Sequence, residues 1–494
     1  EVQCVVRGRF VGVLAEHEWQ AQKALDQLSQ AARWDEPDTL PDMHQLEGFL
    51  RQAQAETQVT ARLGLGGPEG GDVIQSTYLK PYLAHASIGL CCALAQFDGQ
   101  HLEVWTHSQG IHNLRDDLVR ALADGPHPLS KSQMTLHHVE GAGCYGHNGA
   151  DDVAFDAVLL ALERPGAVVR VLWTREQELA NAPLGSAHLV DLKASLSADG
   201  QIERWSHELW ANGYSSRPGR SSVSVLLAAP HLPHGKPAPV AINPPLAAGG
   251  GGERNAVPGY AFEHCSVITH RLLDMPLRTS AMRALGGYAN VFAIECFMDE
   301  LAYQSGQDPL AFRLRHLRDP RAIDVLKTVV ERCAWWQQPR AEGVGRGLAW
   351  ARYKNTGAWC AVVARVQAGE QLRVLNLDLA VDVGQVIDLD GVINQTEGGA
   401  LQSMSWTLKE SVQFDRTRVL TRSWGDYPVL RFSELPEVKV HVIDRPDQPA
   451  LGAGEGAQGP VAAALGNALF DALGVRVRHL PLSQDHILRA MHEQ

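Results

Sequence analysis

The sequence predicts a mixed α/β protein of the α+β class, built from roughly two to four packed subdomains. Three observations point there. The chain has 494 residues, well past the length at which one hydrophobic core stops growing. Short strand-like runs alternate with helical periods along its whole length. Hydrophobic residues make up 45% and charged residues 20%, the balance of an ordinary globular enzyme.

In chain order, residues 2–14 read as strand and 16–33 as an amphipathic helix with Ala21, Leu25, Leu28 and Ala32 on one side. Residues 35–72 are polar and rich in Pro and Gly, a pattern expected of a connection. Short alternating runs fill 74–107, a helix follows at 111–123, and a strand at LHHVEG leads into a glycine-rich turn at 141–149. A helix is expected at 150–163, then a strand VVRVLWT, then a strand–turn–strand unit around Asp199-Gly200. Residues 211–260, with many prolines and the run Gly249 to Gly252, read as a long linker or surface loop. Helices at 287–304 and 308–317 precede alternating strands and helices from 343 to the end.

The bulk numbers exclude several classes. A formal net charge of −12 argues against nucleic acid, whose phosphates need clustered Lys and Arg. No apolar run is long enough to form a transmembrane helix. The eight cysteines contain no C-x-x-C, so no zinc ribbon, c-type haem or ferredoxin signature is present. Most sit in apolar surroundings, a usage that leans towards a reducing compartment and leaves cytoplasm and periplasm both open, cytoplasm favoured. The start at Glu1 reads as one cut from a longer polypeptide.

Four segments carry chemistry. Gly141, Gly143 and Gly146 in GAGCYGHNGADD follow a strand and open a helix, where backbone N–H groups and the helix N-terminus can face an anion. No acidic residue follows at the spacing a dinucleotide fold requires, and a ligand-free tight turn fits equally well. Arg283, beside Gly286-Gly287, suits a phosphate or another oxyanion, or a structural salt bridge. Asn394, Gln395 and Gln402 could hold a polar heterocycle, or Gln395, Gly398 and Gln402 could allow close helix packing.

The fourth is LGAGEGAQGPVAAALGNALFDALG, where Glu455 stands among glycines before an Ala-rich helix. A helix so poor in charge is buried, so Glu455 points into a cavity. A carboxylate drawn partly out of water is a stronger base, while a plain helix-dipole partner would read the same.

Taken together, these segments resemble the molybdopterin-binding subunits of the xanthine oxidase/aldehyde oxidase family, in the branch of nicotinate dehydrogenase and isoquinoline oxidoreductase. The resemblance rests on THSQG at 106–110, GAGCYGHNGADDVAFDA at 141–157 and PLRTSAMRALGGYANVFAIECFMDELA at 276–302. It continues through VDVGQVIDLDGVINQTEGGALQSMSWTLKE at 381–410, DYPVLRF at 426–432 and LGAGEGAQGP at 451–460. The six motifs stand in the family's order, and the resemblance covers essentially the whole chain from residue 2 to its end.

The resemblance implies the multi-subdomain fold of a molybdenum-hydroxylase large subunit. It divides the chain into a hammerhead remnant with a connection (1–72), a first cofactor-binding domain (73–260) and a second that carries the catalytic Glu (261–494). It implies Glu455 as base, Gln109 beside an oxo ligand of molybdenum, and Arg283 against the active site. Gly141, Gly143, Cys144, Tyr145 and Gly146 on one side, and Gln395, Glu397, Gly398, Gln402 and Gly454 on the other, would hold the cofactor, with no side chain ligating the metal. The cofactor implied is molybdenum–molybdopterin cytosine dinucleotide, with no Fe–S cluster or FAD in this chain.

The reaction implied inserts water-derived oxygen at an electron-poor carbon of an N-heteroaromatic substrate. Electrons would leave to a small 2Fe–2S subunit, with a cytochrome c or flavin subunit as a further partner. An aldehyde dehydrogenase of the same cofactor class and a non-catalytic scaffold are the competing functions. A metal hydrolase built on His137-His138 or on the HLPH at 231–234 is disfavoured, because no H-E-x-x-H exists. The chain departs from the family pattern at Cys144-Tyr145, which replaces a Phe-Gly pair, and at Leu285, where a substrate-stacking Phe is common. No Gly-Gln-Gly cofactor turn is found between 160 and 350.

Overall fold

The computed structural model describes residues 2–68, 73–337, 341–369 and 371–493. The expected strand at 2–14 is two strands, β1 (Val2–Arg7) and β2 (Phe10–Ala15), paired antiparallel around Gly8 at φ 64. Helix α1 (Glu18–Ala31) follows, its Ala21, Leu25 and Leu28 half-buried, which is the face the periodicity predicts.

The connection expected over 35–72 is a correction. It holds α2 (Leu46–Gln52), with Leu46 and Leu50 buried, and β3 (Ala55–Leu63). Tertiary pairing overrides a polar composition there, because β3 gains its hydrogen bonds from a strand two hundred residues downstream. The boundary expected at 72 lies outside the described residues.

Next come β4 (Val73–Lys80), β5 (Cys92–Phe97), β6 (Leu102–Thr106), α3 (Ile111–Leu122), β7 (Met134–His138), α4 (Ala150–Ala161) and β8 (Val168–Leu172). Strands β7, β6, β5 and β8 form one sheet in that order, and α4 packs across β5 and β8. Every α4 residue from Ala150 to Ala161 except Asp156 is buried, so the helix is the centre of its own core.

Helix α5 (Arg175–Asn181) leads to β9 (His188–Leu196) and β10 (Ile202–Asn212), joined through Asp199-Gly200 as the sequence predicts. The segment 211–260 is the second correction. It contains no long element, yet Tyr214, Leu226, Ala256 and Gly250 to Arg254 are buried. Its glycines allow backbone to lie against backbone: a Cβ on Gly213 would fall 2.1 Å from the Ala241 carbonyl oxygen.

Strand β11 (Cys265–Leu272) runs parallel to β10 and completes a five-stranded sheet ordered β3-β11-β10-β9-β4. The boundaries expected after 72 and after 260 therefore each pass between strands of this one sheet.

The remainder comprises α6 (Gly286–Gln304), α7 (Pro309–Arg315), α8 (Pro320–Arg332), β12 (Val344–Arg352), β13 (Trp359–Gln367), β14 (Arg373–Asp382), α9 (Leu389–Leu408), β15 (Glu437–Ile443), α10 (Gln458–Leu473) and α11 (Gln484–His492). Strands β12 to β15 form the third large sheet in sequence order. Helix α10 lies between that sheet and α6, with Gln458 to Leu469 all buried. Truncating Leu465 or Leu469, both fully buried, would cost about 2–5 kcal/mol. Two buried helices, α4 and α10, thus start at glycine-rich turns, and those turns form the site.

Candidate active site

The glycine turn is fastened to the segment before α6. His147 N–H donates to the Ala281 carbonyl at 2.7 Å, and Arg283 N–H donates to the Tyr145 carbonyl at 2.7 Å. Gly146, at φ 129, forms a bridge with Met282, and a Cβ there would fall 2.0 Å from the Ala281 oxygen. No residue but glycine fits this crossing. Beneath it, the buried His147 contacts Asp151 at 2.6 Å through Nε2 and Ser280 Oγ at 2.8 Å through Nδ1. Burial opposes the ionised form of Asp151, yet hydrogen bonds from His147 and Ser108 and the charge of His147 hold its carboxyl below the usual range.

At the rim of the same turn, Gln109 Nε2 reaches Cys144 Sγ at 2.7 Å, and Gln109 Oε1 accepts from Arg217 Nη1 at 2.7 Å. Arg217 Nη2 also donates to the Gly146 carbonyl at 2.9 Å. Burial lowers the Arg217 pKa, while the charges of Asp151, Cys144 and Glu455 oppose the shift. Arg217 therefore links the Gln109 side of the cleft electrostatically to Glu455. Gly141 and Gly143 lie exposed in this turn, Gly141 against the His107 side chain and Gly143 against the Tyr145 ring.

The opposite wall centres on Arg283. Its Nε donates to the Gly454 carbonyl at 2.6 Å, Nη1 to Gln402 Oε1 at 3.1 Å, and Nη2 to Gln395 Oε1 at 3.1 Å. Gln395 and Gln402, seven residues apart on α9, share one face, and Gly398 lies on that face between them. Glu397 projects from another face of α9 and stands outside the cluster. Burial lowers the Arg283 pKa, and the charge of Glu455 opposes this. Neither Arg217 nor Arg283 makes an ion pair among the described residues.

Glu455 occupies the turn just before α10 and is partly exposed. Its Oε1 accepts from the Ala284 N–H at 3.0 Å. Ala284 and Leu285 hold φ values of 72 and 49, left-handed conformations that cost non-glycine residues about 1–3 kcal/mol each and persist where structure around them imposes them. The imposing contact is Gly286 at the start of α6, whose N–H donates to the Gly251 carbonyl at 3.1 Å. The Tyr353 hydroxyl accepts from Arg254 Nη1 at 2.6 Å, and burial, then the charge of Glu455, pushes its pKa up.

Sequence reasoning missed Arg217, Arg254, which donates to Tyr353, Tyr353 itself, and the buried Gln458, whose side chain lies with that of Arg283 beside Gly399. Arg217 and Arg254 carry the signal used for Arg283, an arginine in a turn rich in Gly, Ser and Pro. Tyr353 carries no such signal.

A cleft of ≈ 300 Å³ adjoins this wall, lined by Gln385, Asp388, Gly391, Gln395, Ala453 and Gly454 among others. A separate cleft of ≈ 380 Å³ lies away from the cluster between α3, α4 and the 229–236 turn, and its Arg7 and Lys236 pair with Glu163 and Asp124. Among the described residues no group of three or more His, Cys, Asp or Glu is arranged to hold a metal ion.

Comparison with known proteins agrees with this layout. Residues 68–232 and 325–436 each match a model of a molybdopterin cofactor-binding domain. A nicotinate dehydrogenase chain of Pseudomonas putida is 38% identical over 99% of this chain. The chain belongs to the xanthine oxidase family of molybdopterin-binding subunits. The beta chain of isoquinoline 1-oxidoreductase from Brevundimonas diminuta is 28% identical over 72% of the chain. The chain spans 41% and 43% of the lengths of these two relatives. Among solved structures, quinoline 2-oxidoreductase from Pseudomonas putida 86 aligns over 98% of this chain and 86% of its own, with a TM-score of 0.74 at 14% identity. The fold is that of the molybdenum-hydroxylase large subunits.

The donor set fits such a cofactor. Two half-buried guanidinium groups without carboxylate partners, the amides of Gln109, Gln395 and Gln402, and an exposed glycine turn suit an anionic, phosphate-bearing heterocycle.

Proposed function

We infer that this chain is the molybdopterin-binding part of a hydroxylase acting on small N-heteroaromatic substrates of the nicotinate or isoquinoline kind, with Glu455 as its base. The observation that carries the reading is Glu455 itself: one oxygen held by the Ala284 N–H, in a cleft ringed by Arg217 and Arg283. A carboxylate so oriented can take a proton at a fixed point, which is worth about 10²- to 10⁴-fold in rate.

Segments 73–260 and 261–494 each supply one wall. From the first, the Gly141–Gly146 turn, with Cys144 and Tyr145, would offer backbone donors to the cofactor, and Gln109 would orient its oxygen. From the second, Gln395, Gln402 and the Gly454 turn would hold the pterin, with Arg283 fixing all three. When bound, the cofactor supplies the metal that receives the electron pair and delivers a water-derived oxygen. The cofactor is read as the cytosine dinucleotide form, and no side chain of this chain ligates the metal.

Electrons would then leave to a 2Fe–2S partner, and from it to a cytochrome c or flavin subunit. Both the nicotinate dehydrogenase and the isoquinoline oxidoreductase relatives are single chains of multi-subunit enzymes, which supports such an assembly. The test is a substrate screen with the complex purified together with its native partners. Oxidation of nicotinate- or isoquinoline-like rings next to nitrogen, lost in Glu455→Gln, is expected. Turnover of aldehydes alone would move the assignment to an aldehyde dehydrogenase.

A further inference from the structure

We propose that Arg217 binds a carboxylate on the substrate, so that the preferred substrate is an N-heteroaromatic ring bearing a carboxyl group rather than a neutral fused ring. The proposal rests on the cleft between the two walls being the substrate site. Two hydrogen bonds place the guanidinium: Nη1 donates to Gln109 Oε1 at 2.7 Å, and Nη2 to the Gly146 carbonyl at 2.9 Å. A guanidinium carries five N–H donors. The other three have no acceptor among the described residues.

The backbone behind Arg217 is pinned. Ser216 N–H donates to Ser280 Oγ at 3.0 Å, and Ser216 Oγ donates to the Thr279 carbonyl at 2.7 Å. Pro218, which follows, is buried and has its φ locked by the ring. Arg217 is thus tied to the segment that carries Met282 and Ala284. Gly146, whose carbonyl takes Nη2, bridges Met282, and the Ala284 N–H two residues on holds Glu455 Oε1. Two residues of chain span at most about 7 Å, so the anchors of the guanidinium and of the base stand about one substituted ring apart.

The neighbouring carboxylates leave this cation unpaired. Asp151 is taken by Ser108 Oγ at 2.5 Å and by His147 Nε2 at 2.6 Å. Glu455 is held by the Ala284 N–H and makes no ion pair with Arg217 among the described residues. Arg283 differs, because its Nε and both Nη nitrogens already donate to Gly454, Gln402 and Gln395 on the opposite wall. Of the two arginines, Arg217 keeps its fork open, and a planar fork takes both oxygens of a carboxylate together.

The experiment reads binding rather than turnover, because Arg217 also orients the Gln109 amide. Calorimetry compares nicotinate with nicotinamide, its neutral isostere, on the matured complex held fully reduced so that neither ring is oxidised. The parent should bind nicotinate about 10- to 100-fold more tightly. Arg217→Gln should abolish that preference, and Arg217→Lys, which keeps the charge without the fork, should retain part of it. Both variants should keep the parent's molybdenum and CMP content. A parent without the preference, a preference that survives Arg217→Gln, or loss of molybdenum and CMP from the assembled variant would overturn the proposal, the last because the arginine then serves the cofactor. If Arg217→Gln does not assemble, Arg217→Lys decides, and a preference equal to the parent's overturns the proposal. A complex that oxidises no N-heteroaromatic ring removes the reading on which the proposal rests, whereas ring oxidation without the preference removes the role of Arg217 alone.

Discussion

Helices α4 and α10 are built alike and used differently. Both are Ala-rich, both are buried for at least three turns, and both begin at the cleft after a glycine-rich turn. The first turn of α4 carries Asp151 and Asp152, while that of α10 carries no acid. Asp151 is answered by His147, and Asp152 by Arg278, whose Nη1 reaches Oδ1 at 3.0 Å. Asp152 also accepts from Leu227 N–H at 2.9 Å, pinning the 211–260 segment. The α4 terminus is thus neutralised within the protein, and its task is to hold the glycine turn still. At α10 the carboxylate stands outside the helix, in the turn, where one face meets the cleft. A helix N-terminus favours an anion in either case; where the carboxylate sits decides whether it holds structure or can do chemistry.

The difference can be broken from either side. Glu455→Gln should lower kcat by about 10²- to 10⁴-fold with little change in melting temperature, measured by steady-state kinetics and calorimetry. Asp152→Ala should do the reverse. It strands the mostly buried Arg278 and an amide donor, so the unfolding free energy should fall by about 3–5 kcal/mol in urea titrations, with activity per folded molecule retained.

A smaller, pH-dependent effect lies further along α4. Asp156, which accepts from Trp173 Nε1 at 2.8 Å, is pushed up to about 7 by burial. The folded protein keeps that proton while the unfolded chain releases it near pH ~4, so the unfolded state binds fewer protons across this window. Stability therefore falls as pH rises from about 4 to 7. Asp156→Asn should match the parent below that window and exceed it in melting temperature above pH 7. The smallest expected effect is at Glu397, on the face of α9 turned from the cluster. Glu397→Gln should change stability by less than about 0.5 kcal/mol and leave kcat unaltered.

Helices α4, α6, α9 and α10 were legible in the sequence because long apolar periods and glycine punctuation coincide there. The Asp199-Gly200 hairpin was legible for the same local reason. The pairing of β3 with β11, and the burial of 211–260, were not: each depends on contacts between segments far apart, which local composition does not record. Of the site, Gln109, Arg283, Gln395, Gln402 and Glu455 were placed through motif order and converge in space. Glu397 was carried along by its motif, and a two-residue step on a helix turned it away. Arg217 escaped notice because its role comes from its contacts with Gln109 and Gly146, far from it in sequence.

The most direct measurement is molybdenum and nucleotide analysis of the intact, matured complex. Near-stoichiometric molybdenum, with CMP released on acid hydrolysis, is the predicted result. A matured complex with no molybdenum would contradict the account, leaving a scaffold on a hydroxylase fold.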